Sequence, residues 1–277
     1  MYTTIVNADT LQQHLNDPDW LLIDCRFSLA DSGYGKRLYG EGHIPGARYL
    51  DLDEDLSSAI TPQTGRHPMP DADALSTRLK ALGLKSGQQV VVYDDCSGMM
   101  AARAWWLLRW LGHERVALLD GGLSAWKGEL SADNPLYEAG NFEATPRNTE
   151  RVELAAVEAN LDQPRFTLID ARSAERYRGE QEPIDPVAGH IPGALNRPLT
   201  DNLRDGVFKS AGELHAEWKA VLGDTPASDI VHMCGSGVTA CHNLLAMEIA
   251  GLCGSRIYAG SWSEWIRNPK HPVISVK

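Results

Sequence analysis

Short, unbroken apolar runs punctuate the chain: Leu21-Leu22-Ile23, Val90-Val91-Val92, Val116-Ala117-Leu118-Leu119, Thr167-Leu168-Ile169, Ile230-Val231 and Arg256-Ile257-Tyr258. Continuous rather than alternating apolarity predicts β-strands covered on both faces. Between these runs the period changes. Residues 101–111 carry Trp106, Leu107, Trp110 and Leu111 at helical spacing and run into Gly112; residues 239–250 carry Leu244, Leu245 and Ile249 and run into Gly251. Apolar residues at that spacing with a glycine just past the end predict helices. Strands alternating with helices predict an α/β fold, a parallel sheet with helices on both faces.

The pattern is written twice. Ile23-Asp24-Cys25-Arg26 recurs as Ile169-Asp170-Ala171-Arg172, and Gly42-His43-Ile44-Pro45-Gly46-Ala47 as Gly189-His190-Ile191-Pro192-Gly193-Ala194. Val90–Asp94 has its partner in Ile230–Cys234, and Gly121-Gly122-Leu123-Ser124-Ala125-Trp126 is echoed by Gly260-Ser261-Trp262-Ser263-Glu264-Trp265. The order is kept and the spacing is nearly constant, about 140 residues, too long for a solenoid repeat. Two tandem copies of one domain are expected, at 1–138 and 151–277. The stretch from about Ser131 to Glu150, with Pro135, Gly140 and Pro146, holds the linker, taken as 139–150.

Composition narrows the function classes. The 277 residues are 43% hydrophobic and 23% charged, enough for a core in each half. The net charge of -11 argues against non-specific binding to nucleic acid or anionic lipid. The five cysteines, with no C-x-x-C, predict neither a disulfide framework nor a zinc site, and they suit a reducing compartment, the cytoplasm. No basic, apolar leader opens the chain, and no apolar run reaches the roughly 20 residues of a membrane span. No metal and no cofactor is expected.

The candidate chemistry sits after the strand at 230–233, in Cys234-Gly235-Ser236-Gly237-Val238-Thr239-Ala240. In an open parallel sheet, ligands bind outside the carboxyl ends of the strands. Glycines let successive N–H groups turn inward, and a helix N-terminus adds partial positive charge; both stabilise a thiolate. Cys234 is therefore the expected nucleophile, with Gly235, Gly237, Val238 and Thr239 lining its loop. The equivalent position in the first copy is Asp94, which cannot be a sulfur nucleophile, so only the second copy is expected to be catalytic. Cys96, two residues on, is the alternative. Cys25, Cys96, Cys241 and Cys253 lack the loop context and read as buried structural cysteines. A phosphatase loop, C-x5-R, would need arginine where Ala240 stands.

These motifs resemble the rhodanese superfamily of sulfurtransferases in its tandem-domain form, along essentially the whole chain. The resemblance implies two rhodanese-like domains, the first non-catalytic, and a persulfide on Cys234. The neutral loop Cys-Gly-Ser-Gly-Val-Thr-Ala resembles that of family members that use 3-mercaptopyruvate. Members that use thiosulfate carry basic residues where Gly235 and Ser236 stand. The family's carboxylate clamp has two arginines; Arg176 matches the first, but Glu182-Pro183-Ile184-Asp185 lacks the second. Either Arg178 supplies the missing charge or the clamp has one arm, which keeps thiosulfate as the alternative donor. The resemblance also implies that His67 relays a proton, with Asp53 orienting it and Ser236 as the third member.

Trp262 either walls the pocket or packs in the core. His43 and His190, one of them in the copy without the nucleophile, read as structural. The implied partners are a small sulfur donor and a thiol acceptor such as thioredoxin, or cyanide. A module that binds without catalysis is the competing class.

Overall fold

The structure is a computed structural model that describes residues 1–134 and 137–275. The chain forms two compact units. The first comprises Met1–Ser58 and Pro70–Arg147, the second Ala59–Met69 and Asn148–Lys277. A segment from within the expected first domain, Ala59–Met69, thus clusters with the second.

The first unit holds five strands, β1 (Ile5–Val6), β2 (Trp20–Asp24), β3 (Arg48–Tyr49), β4 (Gln89–Tyr93) and β5 (Val116–Leu119). They are all parallel and ordered β1-β5-β4-β2-β3. Helices α1 (Ala8–Gln13), α2 (Tyr34–Glu41), α3 (Ala72–Ala81), α4 (Ala101–Trp110) and α5 (Gly122–Ala125) connect or follow them. Every residue of β4 and β5 is buried, which is why their sequences are apolar without alternation.

The second unit repeats the order. Strands β6 (Arg151–Val152), β7 (Thr167–Asp170), β8 (Leu195–Asn196), β11 (Ile230–Met233) and β12 (Arg256–Tyr258) form the parallel sheet β6-β12-β11-β7-β8. A small antiparallel hairpin of β9 (Leu203–Arg204) and β10 (Val207–Phe208) is added, turning at Asp205-Gly206, both at positive φ. The helices are α6 (Leu154–Asp162), α7 (Ala174–Arg178), α8 (Ala211–Leu222), α9 (Ala240–Ile249) and α10 (Ser261–Trp265). The apolar runs predict the six inner strands and the two central helices, α4 and α9, to within a residue or two. The two-residue edge strands carry too short a signal to be read.

The repeated motifs do the same work twice. Arg26 grips Asp24 through Nε and Nη2 (2.9 and 2.7 Å) and donates to Gly42 O at 2.7 Å. Arg172 grips Asp170 (3.1 and 2.7 Å) and donates to Gly189 O at 2.7 Å. In each unit this ties the end of a strand to the Gly-His-Ile-Pro-Gly turn. The turn histidines match: His43 stacks on Tyr39 and holds Tyr39 O at 2.8 Å, while His190 stacks on Tyr177 and holds Tyr177 O at 2.7 Å.

The expected linker does not hang free. Gly140, Phe142, Thr145 and Arg147 donate backbone hydrogen bonds to Lys80, Leu84, Leu111 and Trp110, along the first unit. Pro135 of that stretch lies outside the described residues.

Candidate active site

Cys234 is the first residue after β11, the central strand of the second sheet, and its side chain is buried. The backbone turns sharply behind it. Gly237, at φ +79°, donates its N–H to Cys234 Sγ at 3.1 Å. A Cβ there would fall 2.2 Å from Ala259 O, so only glycine closes the loop. Val238 and Thr239 complete the loop and lead into α9.

The start of α10 braces the loop from below. Ser261 Oγ accepts the Cys234 N–H at 3.1 Å, and the N–H groups of Trp262 and Ser263 donate to Cys234 O and Gly235 O at 3.1 and 2.8 Å. The first unit shows the same brace, Leu123 N–H to Asp94 O at 2.7 Å. The echoed Gly-rich motif thus acts as a support for the loop.

Asp94 shows what such a loop is built to hold. Its buried carboxylate accepts four backbone N–H groups, from Cys96, Gly98, Met100 and Ala101, at 2.8–3.0 Å. Where the second unit offers a sulfur to its loop, the first has filled the anion nest with its own side chain. Cys96 beside it is a poor rival nucleophile, because burial and then Asp94 and Asp95 push its thiol up.

His67 lies in the segment that clusters with the second unit. It is buried, and its Nδ1 stands 2.7 Å from Ser236 Oγ. Beside it, Arg66 donates its backbone N–H to Ser263 Oγ at 3.0 Å, and Arg267 Nε donates to Thr64 O at 2.9 Å, which anchors the segment on α10 and the residues after it. Asp53 belongs to the first unit; its N–H donates to Asp51 Oδ1 at 2.8 Å, and burial, then Asp51 and Glu54, raise its carboxyl pKa.

A cluster of three arginines and three carboxylates flanks the loop. Arg172 pairs with Asp170 and reaches Glu182 at 3.2 Å. Arg176 reaches Glu182 at 2.7 Å and Asp185 at 3.2 Å, and Arg66 pairs with Asp185. Burial opposes the Glu182 charge, but the Arg176 guanidinium and the N–H groups of Asp185 and Ile184 hold its carboxyl below the ordinary range. Burial raises Asp185. Burial also opposes the Arg172 charge, yet Asp170, Glu182 and Cys234 together raise its pKa.

Gly235 faces this cluster. A Cβ built on it would lie 2.9 Å from Arg66 Nη2 and 3.5 and 3.7 Å from Arg176 Nη2 and Nη1. Arg178, the expected substitute for a second clamp arginine, is instead paired with Glu180 at the surface through two 2.8 Å bonds. Its place on the last turn of α7 directs it into solvent. Trp262 is fully buried in the apolar core, donates Nε1–H to Val187 O at 2.9 Å and carries Arg172 over its ring at 4.8 Å. It supports an arginine rather than exposing a face to a ligand.

Sequence reasoning missed Arg66, Asp185, Ser261 and Ser263. Arg66 directly precedes His67, so the signal was adjacent. Cys25 and Cys241 are buried as expected, whereas Cys96 is only half-buried and Cys253 is exposed, because it lies on the surface segment between α9 and β12.

The rhodanese-like domain family matches the chain twice, over residues 7–129 and 153–268. The chain is 50% identical over 277 residues to the "Probable 3-mercaptopyruvate sulfurtransferase" of Pseudomonas aeruginosa, covering 98% of each. It is 36% identical over 286 residues to the 3-mercaptopyruvate sulfurtransferase of Escherichia coli strain K12, covering 99% of each. Among solved structures it superposes on SseA from Escherichia coli, described as a 3-mercaptopyruvate sulfotransferase, with a TM-score of 0.81 at 34% identity, over 95% of this chain and 100% of that one.

Proposed function

The chain belongs to the rhodanese family, and from that premise we propose that it is a 3-mercaptopyruvate sulfurtransferase working through a persulfide on Cys234. The observation that carries this reading is the Cys234 loop with its first partners in place: Gly237 N–H on the sulfur and His67 on Ser236.

In the first half-reaction the Cys234 thiolate attacks the sulfur of 3-mercaptopyruvate. The S–S bond forms as the C–S bond breaks, and the electron pair goes to carbon as the enolate of pyruvate. The proton originally on the donor's sulfur ends on that carbon, relayed by Ser236 and His67. The loop N–H groups of Gly235, Gly237, Val238 and Thr239 stabilise the persulfide anion, and Arg176 binds the donor's carboxylate. In the second half-reaction an acceptor thiolate or cyanide attacks the outer sulfur, and Cys234 leaves as thiolate.

The second unit is the catalytic domain, at about 151–277 with the added segment that carries His67. The first unit, Met1–Ser58 and Pro70–Arg147, is non-catalytic, since Asp94 stands in place of the cysteine. A small thiol or a thioredoxin-like protein is the physiological acceptor. No helix among the described residues is long and apolar enough to cross a membrane. No disulfide joins any of the five cysteines, which suits the cytoplasm.

Thiosulfate is the competing donor. Glu182 and Asp185 balance the positive charge of Arg176 and Arg66, which disfavours a dianion relative to a monoanionic keto acid. The test is kcat/KM for the two donors side by side, with cyanide as acceptor. A preference of about tenfold or more for 3-mercaptopyruvate, about 1.4 kcal/mol at the transition state, is expected; a preference for thiosulfate would overturn the donor assignment.

A further inference from the structure

Arg66 stands beside Gly235, the residue after Cys234, and its hydrogen bonding is incomplete. One terminal nitrogen, Nη1, pairs with Asp185 Oδ1. Its Nε is buried without a partner. Its Nη2 faces Gly235, at the distance given above for an added Cβ, and makes no hydrogen bond among the described residues. Nε and Nη2 form one edge of the guanidinium, the edge that matches a planar carboxylate. Arg176 presents Nη1 to the same point, and that nitrogen is likewise without an acceptor. Two guanidinium groups therefore converge on the residue next to the nucleophile, each with a donor turned towards Gly235.

Asp185 explains the convergence. Its two oxygens split between the arginines, Oδ1 to Arg66 and Oδ2 to Arg176 at 3.2 Å, so one buried carboxylate sets the spacing of both. Glu182 holds Arg176 from its other side. The carboxylates thus take Arg66 Nη1 and the Nε–Nη2 edge of Arg176, and leave Arg66 Nη2 and Arg176 Nη1 without an acceptor beside Gly235. A Cβ at 235 would press on Arg66 Nη2 and touch Arg176, so glycine leaves the Arg66 guanidinium its present place.

We propose that Arg66 is the second arm of the donor's carboxylate clamp, opposite Arg176, with Asp185 as the positioning residue that holds the two arms at carboxylate spacing. The inference rests on the reading of Cys234 as the sulfur-accepting thiolate. The clamp is assembled from two distant parts of the chain, which is why the segment after Glu182-Pro183 needs no arginine of its own.

The test separates charging of Cys234 from its discharge. Single-turnover charging by 3-mercaptopyruvate is followed at rising donor concentration, and the loaded enzyme is then discharged with cyanide, which has no carboxylate to bind. Arg66→Ala is expected to raise the half-saturating donor concentration about 10- to 100-fold, as for a lost charge-assisted bond. The discharge rate should stay within about twofold of wild type. Arg66→Lys, which keeps the charge but not the fork, should fall between wild type and alanine. Asp185→Asn should also raise half-saturation while leaving discharge unchanged. An unchanged half-saturation in Arg66→Ala, or equal losses in charging and discharge, would overturn the clamp and leave Arg66 a structural ion pair. A wild-type enzyme that 3-mercaptopyruvate fails to charge would overturn the donor assignment instead, and the clamp with it.

Discussion

His67 Nδ1 lies 2.7 Å from Ser236 Oγ, although 169 positions separate the two residues in the chain. A buried histidine on the hydroxyl of the residue two past Cys234 is the proton path that the proposed reaction uses. Ser236→Ala and His67→Asn should therefore each lower kcat/KM for 3-mercaptopyruvate by roughly 10²–10⁴, the usual range for a general acid–base. Steady-state kinetics with cyanide as acceptor checks this. Turnover within about threefold of wild type for both variants would remove the pair from the mechanism.

Asp94 predicts a stability effect in the first unit. Truncation to alanine leaves four backbone N–H groups without their acceptor, those of Gly98 and Ala101 in buried bonds and those of Cys96 and Met100 in half-buried ones. Each unsatisfied buried donor costs about 1–3 kcal/mol, so Asp94→Ala should lose about 2 kcal/mol or more. Urea unfolding measures it. A loss below about 1 kcal/mol would mean that water replaces the carboxylate and that the nest is open.

The paired histidines separate structure from catalysis. His190 stacks on Tyr177 at 3.8 Å and is bound to its carbonyl, as His43 is to Tyr39. His190→Ala should cost about 1–3 kcal/mol of stability, through lost packing and an orphaned carbonyl, with the half-saturating donor concentration unchanged. A raised half-saturation with unchanged stability would place His190 in the donor site.

His232, on β11 two residues before Cys234, predicts a pH dependence. Burial pushes its pKa down to about 3; Trp218 packs edge-on against its ring, and Ser255 Oγ stands 3.2 Å from Nε2. It stays neutral in the fold, whereas an unfolded histidine takes up a proton near about pH 6.5. Below that pH the unfolded state binds the extra proton, so stability falls with acidification by about 1.4 kcal/mol per pH unit, down to about pH 3. His232→Leu, neutral at every pH, should remove this part of the slope. Unfolding free energies of both proteins at about pH 7.5 and 5.5 test it, and parallel losses would contradict it.

Much of this was legible in the residues. The continuous apolar runs gave both inner sheets because buried parallel strands need no polar alternation. The duplicated Asp-x-Arg and Gly-His-Ile-Pro-Gly motifs exposed the tandem architecture because each copy makes the same Arg–Asp–carbonyl tie. Cys234 was readable because strand, cysteine, glycines and helix follow one another locally. What was not readable depends on contacts between distant segments. Arg66 and Arg178 are both arginines near a motif, and only the fold shows that one faces Gly235 while the other pairs with Glu180 at the surface. Trp262 sits at the expected sheet end, but packing turns its ring into the core.

In the proposed reaction the transferred sulfur is carried by Cys234. Intact-protein and peptide mass spectra after treatment with 3-mercaptopyruvate, without acceptor, decide it. One added sulfur on the peptide holding Cys234, discharged by cyanide and absent from a folded Cys234→Ser variant, is the predicted result. Sulfur on Cys96, or continued turnover by Cys234→Ser, would contradict it.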